Sequence, residues 1–547
     1  MQENIKASEK IKSISEEYLK SMLEDFPAMA TMMGIYDRDG ELGILDSDKV
    51  EKIIKENKKF QSDLDRIDPS ELSVPDRVDY KLLKSEFRKG IREMEHEKRY
   101  SIEPSLYPEM CFNSVYGILF RHRDRLKEKA GDIISRMKQI PRYLKEGRKL
   151  LKNPPRIYVE SAIESASSGK VLFKESLGEL FNTELSEHLD EYEKARDEVL
   201  ESLEEYKKFL KDELIHRAVP DFAIGKEAFN DRLKYDHFLD EDVDEIEALG
   251  KEIYEKVDLE LKDLAKKIDP DLPWVDIVRK YKKIHPDTDE LIAAYTQETQ
   301  KARRFIEEND LVSFPPGEKV EVIFTPPFQQ HLIPWAAFFP CAYFDKESMG
   351  HFVVTPPNPD FPPEKQLAQL QEHNRYKMVL NSVHEAYPGH HLQFSFAREN
   401  PRLARAISMS TLFAEGWALY TEELMKETGY LKEPVQILFQ LKDKVWRAAR
   451  ILIDVGLHAK GMTVDEAVEI LRDTIGYSEF AALTEVKRYT RTPTQPMSYL
   501  VGLSKIIKIR DKFRAKHPDL PLKEFHDRIL KIGTIPPRLV EEELGLI

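Results

Sequence analysis

Residues 381–395 read NSVHEAYPGHHLQFS, and the order His384, Glu385, Pro388, Gly389, His390, His391 within them decides how the chain is read. A His-Glu pair followed by further histidines is a zinc-hydrolase pattern: imidazoles hold the ion, and the carboxylate beside the first of them works on metal-bound water. The common spacing places two histidines four residues apart on one helical face. Here position 388 is proline and that spacing fails. In a straight helix His390 points about 120° away from His384, and His391 lies about 10.5 Å further along the axis. Neither can share an ion with His384 unless the helix is interrupted. Pro388 has no N–H to give the carbonyl of His384, and Gly389 accepts unusual backbone angles. A bulged or kinked helix that returns His390 toward His384 is therefore expected, with His391 as the other candidate.

Working outward, residues 413–423 read FAEGWALYTEE. Glu415 lies in an otherwise apolar stretch, where a carboxylate is costly to bury unless it is paired or binds a cation. It is the expected third ligand. Glu422 and Glu423 read as solvated helix charges. From Val445 to Lys460 an apolar helix carries Arg447, Arg450, Asp454 and His458 at steps of three, four and four, one polar stripe on one face. Buried polar groups need partners. The stripe is either a salt-bridge network clamping helices or a wall facing the metal. In the second reading Arg447 and Arg450 contact a substrate carboxylate, His458 stabilises an oxyanion, and Asp454 holds a ligating histidine by its other ring nitrogen. Tyr499, near Glu485, Arg488 and Tyr489, offers a hydroxyl to an oxyanion, although a core tyrosine is the commoner identity.

Around these motifs the texture is helical. Ile246, Leu249, Ile253, Val257, Leu261 and Leu264 recur at steps of three and four, as do Ile133, Met137, Ile140 and Leu144, where Pro141 should bend or restart the helix. Val320–Phe324 and His351–Thr355 are the strand candidates. The expected fold is mainly α: a large helical assembly with a small β-sheet beside a zincin-like metal-binding helix, and a substrate cleft between two halves. The boundary is expected near 310, with a helical part over 1–310 and a catalytic part with the small sheet over 311–547. A chain of 547 residues with 41% hydrophobic residues supports such multi-part cores.

Lys plus Arg number 84 against 99 Asp plus Glu, a net charge of −15 that disfavours nucleic acid as a partner. Cys111 and Cys341 are far apart, which excludes a disulfide framework, and both read as buried small apolar residues. The amino-terminal residues show no signal-peptide core and no window reads as a membrane span, so a cytoplasmic address is expected and no membrane partner. The sequence does not fix the oligomeric state, a homodimer included.

The runs HEAYPGHHLQ (384–393), EGWALY (415–420) and RAARILIDVGLH (447–458), with PAMATMMG (27–34), resemble the DUF885 family. That family resembles the gluzincin metallopeptidases, among them oligopeptidases and helical carboxypeptidases, whose motif is HEFGHAL. The resemblance implies His384 and His390 as ligands, with two residues inserted before Gly389, and Glu415 as the third. It also implies that His351–Thr355 is the edge strand along which substrate backbone pairs. The expected activity is then hydrolysis of a peptide or related amide, with one Zn²⁺ (or another divalent ion), Glu385 as general base, Tyr499 or His458 at the oxyanion, and His391, Arg447 and Arg450 toward substrate. A non-peptide amidohydrolase and an inactive helical binding protein are the rival readings. A carboxylate-bridged di-iron protein is disfavoured, because its Glu-x-x-His pairs are missing.

Overall fold

The computed structural model of the chain describes residues 2–330, 333, 335–346 and 348–547. Helices dominate, as the amphipathic periodicity requires. The stripe Ile133, Met137, Ile140 and Leu144 is fully buried on one helix, Leu126–Leu150, which runs through Pro141 without restarting. A proline removes one backbone hydrogen bond, and here the buried face outweighs it. Cys111 is buried as expected, but Cys341 is only half-buried, and both thiols are free.

Eight helices and three strands position the site: α1 (Val243–Ile268), α2 (Leu291–Glu308), β1 (Lys319–Phe324), β2 (Ala336–Phe339), β3 (Met349–Val354), α3 (Arg375–Glu385), α4 (His390–Glu399), α5 (Thr411–Glu427), α6 (Pro434–Ala459), α7 (Glu479–Arg491) and α8 (Ser498–Lys516). The sheet order is β1-β3-β2, with β1 parallel and β2 antiparallel to β3. The expected edge strand, His351–Thr355, is thus part of the central strand. Phe352, Val353 and Val354 are all fully buried, so helices cover both sheet faces and both neighbours are needed to satisfy β3. The edges are β1 and β2. The short run forming β2 lies inside an apolar stretch that lacks strand alternation, so it gives no sequence signal of its own.

The apolar cores do not divide at 310. One core is built from residues 42–214. Another joins Val243, Ile246, Leu291, Tyr295 and Ile306 to Phe352, Leu392, Trp417, Ile451 and Val501. Helices α1 and α2 therefore pack with the motif-bearing part, and so do Val78 and Leu82. None of the helices is long and apolar enough to cross a membrane, among the described residues.

Helices α5 and α8 approach each other closely. A Cβ on Gly502 would lie 2.0 Å from the Leu412 carbonyl oxygen, and one on Gly416 would lie 2.5 Å from the Gly502 backbone. This contact sets Tyr499, one turn before Gly502, beside Glu415. Gly502→Ala should destabilise the protein by about 1–3 kcal/mol, the range for overpacking a tight contact, read as a shift of the denaturant midpoint. An unchanged midpoint would show that the two backbones do not meet this closely.

Candidate metal centre

The motif stretch is two helices. In α3 the Asn374 side chain accepts the Lys377 N–H at 3.0 Å, and the helix ends at Glu385, where Ala386 turns to φ −113°, ψ −85°. Tyr387, Pro388 and Gly389 interrupt the helix, with a cis Tyr387–Pro388 peptide, and α4 opens at His390. The interruption is thus a complete break. A Cβ on Gly389 would lie 1.8 Å from the His384 carbonyl oxygen, so only glycine lets α4 start this close to the end of α3.

Side chains from elsewhere hold the break. The Trp417 Nε1–H of α5 donates to the Pro388 carbonyl at 2.9 Å. Glu318, immediately before β1, accepts from the Tyr387 hydroxyl at 2.7 Å and from His391 Nε2 at 2.5 Å. Arg303 of α2 donates to Glu318 at 2.5 Å and to the Tyr387 hydroxyl at 2.9 Å. Burial alone would raise the Glu318 carboxyl, but hydrogen bonds from His391 and Tyr387 lower it. His391 is 1% exposed and committed to this tether, so it does not face substrate as expected.

The break brings the other two histidines together. The rings of His384 and His390 lie 5.0 Å apart at 88°. Each Nε2 is 3.7 Å from Glu415 Oε2, and the three ligand atoms all lie within 4.8 Å of one another. Ligand atoms about 2.0–2.1 Å from a tetrahedral zinc stand roughly 3.4 Å apart, so this set fits one ion with a small adjustment. The far sides of both rings are occupied. His384 Nδ1 donates to Glu422 Oε1 at 2.9 Å, and His390 Nδ1 meets Gln393 Oε1 at 3.2 Å. A carboxylate only accepts, so Nδ1 of His384 carries a proton, and Nε2, which faces the centre, is the nitrogen left for an ion.

Electrostatics favour a cation here. Burial lowers the His384 pKa, but hydrogen bonds to Glu415 and Glu422 outweigh it and lift it to about 9. Burial raises Glu415, yet His384 and His390 hold it well below the ordinary carboxylate range. Glu385, next to the first ligand, behaves oppositely: burial raises its pKa, against the lowering effect of His384 and His390.

The polar stripe on α6 is buried along its whole length, and its members part company. Arg447 Nη2 is 3.7 Å from Glu422 Oε1, in contact with the ligand support. The Arg450 guanidinium lies 3.9 Å from the Tyr499 ring centroid. Asp454 does not hold a histidine: it accepts the backbone N–H groups of Thr494 and Met497, both at 3.1 Å. Burial lifts its carboxyl to about 7. His458 lies about 16 Å along the axis from Arg447 at 1.5 Å per residue. It hydrogen-bonds the Tyr489 carbonyl at 3.0 Å, and burial lowers it to about 4, so it is a neutral core histidine away from the ligands. Tyr499 is half-buried and its hydroxyl finds no hydrogen-bond partner among the described residues. Its pKa is raised by burial and by Glu415.

Two residues of this centre gave misleading or no sequence signal. Glu422 reads as a solvated helix charge, yet it is 2% exposed. Its position seven residues after Glu415, two turns along the same face, was the available hint. Glu318 lies 66 residues before His384 and nothing local marks it.

The family model DUF885, described as a bacterial protein of unknown function, matches residues 27–544. The chain belongs to that family. No curated protein matches it. Among solved structures, a candidate lipoprotein of unknown function from Shewanella oneidensis is 21% identical, with a TM-score of 0.80 over 98% of this chain and 100% of that one. A candidate lipoprotein from Colwellia psychrerythraea is 17% identical, with a TM-score of 0.81 over 99% of both chains. These likenesses show a shared fold.

If Glu422 supports a ligand and Asp454 does not, Glu422→Gln should weaken zinc binding about 10–100-fold and Asp454→Asn should leave it unchanged, in competition titrations with a chromogenic chelator. Because His384 holds a proton up to about pH 9, zinc affinity of the metal-free protein should rise with pH until that value and release a proton. A pH-independent affinity would contradict the arrangement.

Proposed function

We propose that this DUF885 protein is a metal-dependent hydrolase acting on peptide bonds, with zinc as the expected ion. The observation that carries the reading is the convergence of His384 Nε2, His390 Nε2 and a Glu415 oxygen on one point, with a raised carboxyl, Glu385, directly after the first ligand. The resemblance of HEAYPGHH to the gluzincin motif supports the same reading. His384, His390 and Glu415 would hold the ion. Bound there, it supplies an acidified water and an electrophile for the substrate carbonyl.

The chain's own residues supply the remainder. Glu385 takes the proton of the attacking water and passes it to the leaving nitrogen, and burial suits it to this by raising its basicity. Tyr499 has a free hydroxyl beside Glu415 and donates to the oxygen that becomes negative. His458, enclosed behind Tyr489, takes no part. Strand β2 has β3 on one side and no strand on the other among the described residues, so an extended substrate backbone adds along β2.

Protein purified without chelator should carry one zinc per chain and cleave members of a peptide library, read by mass spectrometry, with cleavage lost on chelation. Glu385→Gln should keep the zinc and lose about 10²–10⁴-fold in turnover. The acid form of Glu385 cannot act as base, and its pKa is raised. Activity should therefore fall on acidification at a pH above the ordinary carboxylate value of 4.5. Full activity of Glu385→Gln, or absence of stoichiometric metal, would end this reading. Turnover of non-peptide amides alone would move the activity to another amide class.

A further inference from the structure

The wall formed by α6, α7 and Tyr499 carries one guanidinium too many. Arg447 faces Glu422, 3.7 Å away, and Arg488 binds Glu485 at 2.7 Å. Arg450 has no carboxylate within 4.0 Å and no hydrogen bond to any described residue, yet it is 2% exposed. Its Nε and Nη2 are sealed and unpartnered. Its Nη1, also unpartnered, is not sealed. Three aromatic rings enclose the group, Tyr499 at 3.9 Å, Trp446 at 5.2 Å and Tyr489 at 5.3 Å. Cation–π contacts fix its plane but do not neutralise it. A buried charge left without a counter-ion is strongly unfavourable, and a rigid planar fork is suited to a carboxylate. Glu485 and Glu415 act on Arg450 from a distance, but Glu422 and Glu485 make their contacts with Arg447 and Arg488, so Arg450 is the guanidinium of this wall with no carboxylate in contact.

The position of this charge matters as much as its sign. The Tyr499 ring touches Arg450 on its face, and Glu415 acts electrostatically on its hydroxyl. Arg450 is therefore one tyrosine ring from the ligand cluster. From these observations we propose that Arg450 receives the C-terminal carboxylate of the substrate, making the protein a carboxypeptidase that releases residues from free C-termini. The backbone carboxylate stands at a fixed distance from the scissile carbonyl whatever the sequence, as a fixed anchor requires, whereas an acidic side chain does not. This inference rests on the hydrolase reading above, which leaves the cleavage direction open.

The test uses N-acetyl-Ala-Ala-Leu as free acid and as C-terminal amide, together with N-acetyl-Ala-Ala-Glu amide. Zinc-loaded wild type should cleave the acid with a kcat/KM roughly 30-fold or more above either amide, the size expected from loss of a buried charge pair. Arg450→Gln should lower kcat/KM on the acid by a similar factor, mainly through KM, and lower it on the amides by a clearly smaller factor, because the Tyr499 ring rests on Arg450. Arg450→Lys keeps the charge without the fork and should recover part of the loss. Equal cleavage of acid and amide, or of the Glu amide and the Leu acid, overturns the proposal while leaving the hydrolase intact. So does an equal loss on all three substrates in a variant that still melts cooperatively and binds zinc. A binding arm separates the two readings. Zinc-loaded Glu385→Gln, titrated calorimetrically, should bind the acid at least about tenfold more tightly than its amide, and adding Arg450→Gln should erase that preference. If no substrate is cleaved and this preference remains, the anchor stands and the hydrolase reading fails; without the preference, the anchor fails.

Discussion

The centre depends on a backbone contact: the α-carbon of Gly389 lies so close to the carbonyl of His384 that a side chain there would stand 1.8 Å from the oxygen. A continuous helix would carry His390 to another face. A longer loop would carry it out of reach. A tight break that gives up helical dihedrals at Ala386 and resumes them at His390 is what turns six residues of separation into rings 5.0 Å apart. Proline and glycine each solve one part of this problem. Pro388 needs no hydrogen-bond acceptor in the turn, and Gly389 removes the atom that would collide.

Around that break, buried charge is arranged in layers. Glu415 and the two Nε2 atoms form the inner layer. Glu422 stands behind His384, and Arg447 stands behind Glu422. Asp443 lies 3.9 Å beyond Arg447, paired in turn with Lys377. Each carboxylate in this series is followed by a cation, so every buried ion has a neighbour of opposite sign. The alternation keeps Glu422 ionised, with burial opposed chiefly by Arg447, and an ionised Glu422 fixes the His384 tautomer. Arg450, on the same helix face one turn on, stands outside the series.

Much of this was legible from residue types and spacing. The helical dominance and two of the three strands follow from periodicity; the grouping of His384, His390 and Glu415 followed from the broken helix, the cost of a carboxylate in an apolar run and the family resemblance, which chose His390 over His391. What escaped reading was long-range. The stripe Arg447, Arg450, Asp454, His458 is one face of α6, but a helix of this length crosses several neighbours, and spacing does not say which residue meets which. Only the first two approach the ligands, while Asp454 caps the backbone at Thr494 and Met497. Glu422 looked solvated because its helix has a charged end, although two turns from Glu415 it faces inward. His391 was equally ambiguous: next to the candidate ligand His390, it binds Glu318 instead. The boundary at 310 followed the change of texture into strands, but α1 packs along α6, so close that a Cβ on Gly250 would meet Ile451 at 2.8 Å. Texture marks a change of element type, and cores follow packing.

Replacing one helix by two changes what holds the ligands. When both histidines share a helix, its own hydrogen bonds set their spacing. Across a break those bonds are lost, and the spacing must come from the tertiary structure. Here it comes from three directions: Trp417 on the turn, Glu318 and Arg303 on Tyr387 and His391, and the Gly416–Gly502 contact that seats Glu415. Glu318 precedes the sheet and Arg303 lies on α2, so elements far apart in sequence must be assembled before the three ligand atoms meet. A divalent ion bound there would draw its affinity from the folded state alone, and its binding energy would in turn stabilise that assembly. The centre and the fold around it would therefore be thermodynamically one unit, in keeping with the burial of Trp417, Glu318, Tyr387 and His391, at least as deep as that of His384 and His390.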